Sequence, residues 1–153
     1  MAALATITDQ MRRSFDGDAW HGPAVMEILK GVTARQAAAK PLSGAHSIWE
    51  LVLHLTTWSS VVTRRLKGEA LEPTAAEDYP AISDQSEAAW QRAVESLRRT
   101  HDALLAAVER LPESRLADAV PGKPYSFEFM LLGVVQHDLY HAGQIALLKK
   151  AFK

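Results

Sequence analysis

Apolar residues recur at helical spacing in four long stretches of this 153-residue chain, and this pattern constrains the fold most. The clearest stretch is residues 47–68, where Ser47 and Glu50 form a capping box and Gly68 follows a basic last turn. The other three run over residues 8–30 with a break at "DGDAWHGP", from a cap at Ser83 to about residue 111, and from a cap at Ser126 to about residue 150. The pattern predicts an all-α fold, a four-helix bundle formed by residues 1–153 as a single domain.

The connections between these stretches predict short extra helical turns and leave the course of the bundle open. Thr33 and Gln36 form a second capping box, ahead of a short turn that ends near Pro41. The connection over residues 69–82 is long enough to span the bundle. The second and third helices can therefore run parallel instead of forming a tight antiparallel pair, and the apolar pattern does not decide between these courses.

The composition of the chain excludes several classes of function. The chain has no cysteine, so it supplies no disulfide, thiolate zinc ligand or catalytic thiol. Its net charge of -1 provides no basic surface, so we expect no nucleic-acid partner. No apolar run approaches the roughly 18–20 residues that cross a bilayer, and the first residues lack the pattern of a signal peptide. We therefore expect a cytoplasmic protein with no membrane partner.

Three histidines occupy positions that an amphipathic helix normally gives to apolar residues. His137 and His141 lie four residues apart in the last stretch, about 40° apart around the helix axis and about 6 Å apart along it. His54 has the matching inward position in the second stretch. One inward histidine is usually a core residue, but three would each cost about 1–3 kcal/mol if their polar atoms stayed unpaired. A shared divalent cation removes that cost, so the spacing predicts a metal site with an open coordination position.

Other polar residues near this predicted site have several interpretations. His101 also falls on an inward face, where it would be a fourth ligand, a group that contacts the substrate, or a buried histidine bonded to a carbonyl; we expect the last. Glu50 and Asp138 could each accept a hydrogen bond from the ring nitrogen of a ligand histidine that does not face the metal. We expect instead that both are solvated acids on a helix surface. His21 and His46 precede helix starts and are expected to be exposed loop residues rather than part of a pocket mouth.

Two well-known metal motifs fit this sequence poorly. The segment "HDLYH" has the paired histidines of HExxH, but Asp138 stands where a metalloprotease has its glutamate base. Carboxylate-bridged di-iron bundles need inward glutamates and Glu-x-x-His pairs, which this chain lacks. Neither a protease nor a ferritin-like centre is expected.

The segments "GAHSIWELVLHLTTW", "HDLYHAGQIALLKK" and "AWHGPAV" together resemble the DinB-like (DinB/YfiT-like) superfamily of metalloenzymes over nearly the whole chain. The resemblance implies a four-helix bundle with an up-down-down-up course and a homodimer. It also implies zinc, nickel or another divalent metal ion held by three histidines, which here are His54, His137 and His141.

The resemblance further implies metal-dependent transfer to a low-molecular-weight thiol such as bacillithiol or mycothiol. Acting as a Lewis acid on thiol or on water, the metal would make the protein an S-transferase or a hydrolase for a small-molecule substrate. Trp58 would wall the pocket, with Tyr140 and Gln144 as hydrogen-bonding groups. One alternative is a non-catalytic, dimeric metal-binding or stress-related protein, in which a residue such as His101 completes the metal's protein ligands. Another alternative is a bundle that holds no metal.

Overall fold

The computed structural model describes residues 3–152, and these residues form seven α-helices. The helices are α1 (Ala3–Asp16), α2 (Val25–Leu29), α3 (Ala34–Ala38), α4 (Ile48–Leu66), α5 (Ala75–Asp78), α6 (Glu87–Glu109) and α7 (Phe127–Lys150). A 3-10 segment covers Glu113–Ala117, and residues 3–152 contain no strand beyond an isolated bridge between Ala119 and Ser126. The predicted all-α class is confirmed.

Side-chain caps fix the starts of most helices. The Ser47 hydroxyl accepts a hydrogen bond from the Glu50 backbone N–H, and the Ser126 hydroxyl accepts one from Phe129, both as predicted. The predicted cap at Ser83 is wrong: Ser86 caps α6, and the Asp84 carboxylate accepts a hydrogen bond from the Ser86 backbone N–H. The first helix also begins at residue 3 instead of residue 8.

The connection between α4 and α6 contains a short helix, in agreement with the short extra helical turns predicted for the connections. The Thr74 hydroxyl accepts a hydrogen bond from the Glu77 backbone N–H, and the Glu77 carboxylate accepts one from the Thr74 backbone N–H. This reciprocal capping box starts α5 near the middle of the connection. As a result, Asp78 and Tyr79 are held at the side of α4.

Two apolar clusters hold the four long helices together, one at each end. The first cluster contains Phe15 of α1, Trp49 of α4, Trp90 of α6 and Ile145 of α7. The second contains residues from towards the opposite end of each of these helices: Ile7, Val62, Leu104 and Leu131. The most extensive helix contact is that of α4 with α6, while α7 packs against both α1 and α4. No helix within residues 3–152 is long and apolar enough to cross a membrane.

His101 is a buried polar residue in this core, and the carbonyl bond predicted for it is wrong. Its side chain is 1% exposed, and neither ring nitrogen has a hydrogen-bond partner among the described residues. The imidazole instead stacks on Phe15, with ring centroids 3.6 Å apart and planes 3° apart. Burial lowers the pKa of His101 to about 4, because the charged form loses its hydration there.

Replacing His101 with Phe should stabilise the protein. The variant keeps a ring against Phe15 and removes two unpaired polar atoms, so the free energy of unfolding should rise by about 1–3 kcal/mol at pH 7. In the wild type the unfolded chain takes up a proton on His101 as pH falls below 6.5, whereas the folded chain does so only near pH 4. The free energy of unfolding of the wild type therefore falls as the pH drops from about 6.5 to about 4. The stability difference in favour of the variant should be about 2 kcal/mol larger at pH 5 than at pH 7.

Urea unfolding of both proteins at pH 7 and pH 5, with a chelator present, measures this difference. His21→Gln, a change at an exposed histidine, is the matched control and should follow the wild type at both pH values. A His101→Phe variant that is less stable than the wild type, or whose advantage is independent of pH, would show that His101 has partners that stabilise it.

Candidate metal centre

Three histidines from two helices meet at one point in the interior of the protein. His54 lies near the middle of α4, and His137 and His141 lie one turn apart on α7. The Nε2 atom of His137 is 2.9 Å from Nε2 of His54 and 3.1 Å from Nε2 of His141. His54 and His141 are buried, and His137 is half-buried. The structure thus brings together the three residues that the sequence predicted to converge, while metal binding by them stays a prediction.

Hydrogen bonds at the far side of two rings determine which nitrogen carries the proton. His54 Nδ1 is 2.8 Å from an Asp78 carboxylate oxygen and 3.1 Å from the Asp78 carbonyl oxygen. His141 Nδ1 is 2.6 Å from the Gln144 side-chain oxygen. Because these oxygens accept hydrogen bonds, both Nδ1 atoms carry the hydrogen in the neutral rings. The Nε2 atoms of His54 and His141 therefore present lone pairs to the third ring.

The centre has more lone pairs than protons. The Nε2 atom of His137 carries at most one hydrogen, which can satisfy only one of the two lone pairs that face it. Burial and then the neighbouring imidazoles lower the pKa of His137 to about 3, and burial also lowers that of His141. A second proton is therefore unfavourable, so at least one lone pair remains without a partner within the cluster. A cation that accepts all three lone pairs satisfies the cluster, which is the chemistry of a three-imidazole metal site.

Asp78 is the most important residue of the centre that the sequence analysis missed. One oxygen of its carboxylate accepts a hydrogen bond from Trp58 Nε1 at 2.7 Å and also binds His54. Trp58 therefore orients the carboxylate that orients His54. The signal that could have revealed it is the capping motif formed by Thr74 and Glu77, which predicts a turn of helix immediately before Asp78.

The two carboxylates considered from the sequence do not bind the ligand histidines. Glu50 accepts hydrogen bonds from the Ser47 backbone N–H and from Lys40, and it lies 3.6 Å from His46. Asp138 is buried rather than on a solvated surface, and burial raises its pKa to about 7. Asp78 lies next to Nδ1 of His54 instead, and Gln144 lies next to Nδ1 of His141.

The remaining histidines lie outside the cluster. His21 and His46 are exposed, as expected, although His46 stacks on Tyr79 with ring centroids 3.8 Å apart. Tyr79 in turn stacks on His54 at 4.4 Å and covers one face of its ring. His101 is stacked on Phe15 and is not part of the cluster.

A cavity of about 430 Å³ adjoins the three histidines. Trp58 lines it, as predicted, and Tyr140 lies at its edge, whereas Gln144 contacts His141 instead of the cavity. The other walls are mainly apolar and come from α4 and α7; they include Leu55, Val62, Met130 and Val134. A ligand in this cavity would lie directly against the imidazole cluster.

Comparison with known proteins gave one finding. A family model described as the DinB superfamily matches residues 19–145, a range that contains all three clustered histidines. Searches of curated proteins and of solved structures gave no significant match.

Proposed function

The chain belongs to the DinB superfamily, and we propose that it is a metal-dependent enzyme whose His54, His137 and His141 hold one divalent ion beside a substrate pocket. The observation that carries this proposal is the convergence of three Nε2 atoms whose rings cannot satisfy one another by hydrogen bonds. Imidazole is a good ligand for zinc and for nickel, and these are the metals we propose.

The residues around the three histidines are suited to hold such an ion. Asp78 and Gln144 keep the hydrogens of His54 and His141 on Nδ1, so that Nε2 is available for a metal. A buried imidazole that stays neutral is the form that binds metals, and burial favours that form at His137 and His141. A bound divalent ion supplies Lewis acidity, which activates a coordinated thiol or water.

The proposed reaction is group transfer to a low-molecular-weight thiol, with hydrolysis as the second reaction of the same site. The chain has no cysteine, so any thiol must enter with the substrates. The apolar walls of the cavity exclude water and position the reactants against the cluster. Trp58 lines this wall and, through Asp78, also fixes the orientation of His54.

A purely structural metal site is the less favoured alternative. A structural zinc site is normally closed by four protein ligands, and His101 was the residue considered for the fourth position. His101 stacks on Phe15, and the described residues place only three metal-ligating side chains together at this point. An incomplete protein shell beside a cavity is the arrangement of a catalytic site.

We also propose that residues 1–153 form a single four-helix-bundle domain with an up-down-down-up course, located in the cytoplasm. In support of this course, Trp49 and Trp90, near the starts of α4 and α6, are in contact with ring centroids 5.2 Å apart. The same apolar cluster contains the late residues Phe15 of α1 and Ile145 of α7. These contacts suit a parallel α4–α6 pair, with α1 and α7 running in the opposite direction.

The proposed enzyme acts as a homodimer. Support comes from the exposed side of α7, where large apolar and aromatic residues lie beside Gln136. Four large exposed residues, Phe129, Leu132, Tyr140 and Leu147, fall within an arc of about 80° around the helix. Exposed apolar stripes of this kind commonly mark protein interfaces.

Light scattering coupled to size-exclusion chromatography tests the dimer. The wild type should elute as a dimer, and Leu132→Glu should elute as a monomer because it places a charge within the apolar stripe. Trp20→Glu, which changes a fully exposed aromatic residue outside α7, should remain dimeric. A monomeric wild type, or a Leu132→Glu variant that stays dimeric, would contradict the proposal.

The enzymatic proposal predicts that His137→Ala abolishes activity in a protein that still folds. Zinc- or nickel-loaded wild type should accelerate the reaction of a small thiol with chlorodinitrobenzene or the hydrolysis of p-nitrophenyl acetate. His137→Ala should lower that rate by at least about 100-fold, because it removes one of three metal ligands. His21→Ala, at an exposed site away from the cluster, should keep the wild-type rate. Equal rates for the wild type and a folded His137→Ala variant would refute a role for the cluster in catalysis.

A further inference from the structure

Besides the histidine cluster and the acids Asp78 and Asp138, the cavity is lined by a cationic side chain. Arg65 lines the cavity although its side chain is only 2% exposed. On α4 it lies eleven residues after His54, about 16 Å further along the helix axis. The Trp58 ring is close to both groups, with its centroid 5.6 Å from Arg65 Cζ and 6.1 Å from the centroid of the His137 ring. Arg65 and the cluster therefore occupy opposite ends of one cavity.

The hydrogen bonds of Arg65, which lines the cavity, leave one of its donors unpaired. Its Nη2 donates to Glu72 at 2.9 Å and to the Leu71 carbonyl at 3.0 Å, and its Nε donates to the same carbonyl at 3.3 Å. Its Nη1 donates to the Tyr125 hydroxyl oxygen at 3.2 Å. A guanidinium has five N–H groups, so one Nη1 hydrogen has no partner among the described residues.

Tyr125 adds a second donor at the same place. Its hydroxyl oxygen accepts from Arg65, which leaves the hydroxyl hydrogen available for an acceptor. Tyr125 lines the cavity, and its ring packs on Phe129 with centroids 5.4 Å apart. A guanidinium N–H and a phenol O–H thus lie next to each other at this end of the cavity.

The charges around Arg65 favour an anion as the acceptor. Glu72 is mainly exposed and does not line the cavity, and it pairs with Lys123 as well as with Arg65. The pKa of Glu72 is lowered first by Lys123, and Arg65 also contributes. Two cations therefore share one carboxylate at this end of the cavity. The two acids that line the cavity, Asp78 and Asp138, belong to the histidine end, since Asp78 binds His54 and Asp138 follows His137 on α7. A buried cation with an unpaired donor is stabilised when a carboxylate binds to it.

We propose that Arg65 and Tyr125 form a carboxylate-binding subsite at the end of the cavity opposite the three histidines. It follows that the substrate is an elongated, mainly apolar molecule with a carboxylate remote from the group that reacts. This inference rests on the proposed function, because it assigns the substrate class of the same pocket. Trp58 and the apolar residues of α4 and α7 contact the middle of such a molecule.

Calorimetric titration of chelator-treated protein with octanoate and with octanamide tests the subsite. The two probes share an apolar chain and differ in the charge of the head group. The wild type should bind octanoate roughly tenfold more tightly than octanamide, since a charge-assisted hydrogen bond is worth more than a neutral one. Tyr125→Phe keeps the ring and its contact with Phe129 but removes the hydroxyl. It should weaken the preference for octanoate, whereas Arg65→Gln, which removes the guanidinium charge, should abolish it.

Tyr140→Phe is the matched control, because it removes a hydroxyl at the histidine end of the same cavity. It should keep the tenfold preference. Equal binding of the two probes by the wild type would overturn the subsite, as would a preference that survives Arg65→Gln or is lost in Tyr140→Phe. The wild-type comparison needs no variant to fold. Because the protein is metal-free, the result is also independent of whether the three histidines bind a metal, which is tested separately.

Discussion

The interaction on which the site depends is the convergence of three imidazole Nε2 atoms whose lone pairs outnumber the available protons. Asp78 and Gln144 hold the hydrogens of two rings on Nδ1, so these rings face His137 as acceptors. Burial lowers the pKa of His137 and His141, which makes a shared proton a poor substitute for a cation. The two apolar clusters hold α4 and α7 side by side at both ends, and so they bring the three nitrogens within contact distance.

The cavity beside the cluster is chemically asymmetric. One end presents neutral nitrogen lone pairs that suit a metal ion, and the other presents the cationic side chain of Arg65. Trp58 connects the two, since it binds Asp78 through its ring nitrogen and lies under the guanidinium. A pocket of this kind binds a ligand in one orientation, because each end recognises a different group.

The sequence predicted the features that follow from local periodicity, and it failed where tertiary contacts decide. The four-residue spacing of His137 and His141 and the capping box at Ser47 required only helical geometry. Asp78 lies in a connection whose path is set by docking onto α4, so its bond to His54 could not be read from spacing. Arg65 fitted the pattern of a basic last helical turn, which gave no reason to expect it inside a cavity. His101 has no partner that local sequence could reveal, because it packs on a ring from α1.

The most direct test of the central claim is the metal content of the protein after titration with zinc or nickel, measured on chain purified without an affinity tag. The wild type should bind one ion tightly per chain. His54→Ala should lose that ion, while His21→Ala should still bind it, because His54 belongs to the cluster and His21 does not. A wild type that binds neither metal, or a His54→Ala variant that binds as tightly as the wild type, would contradict the account.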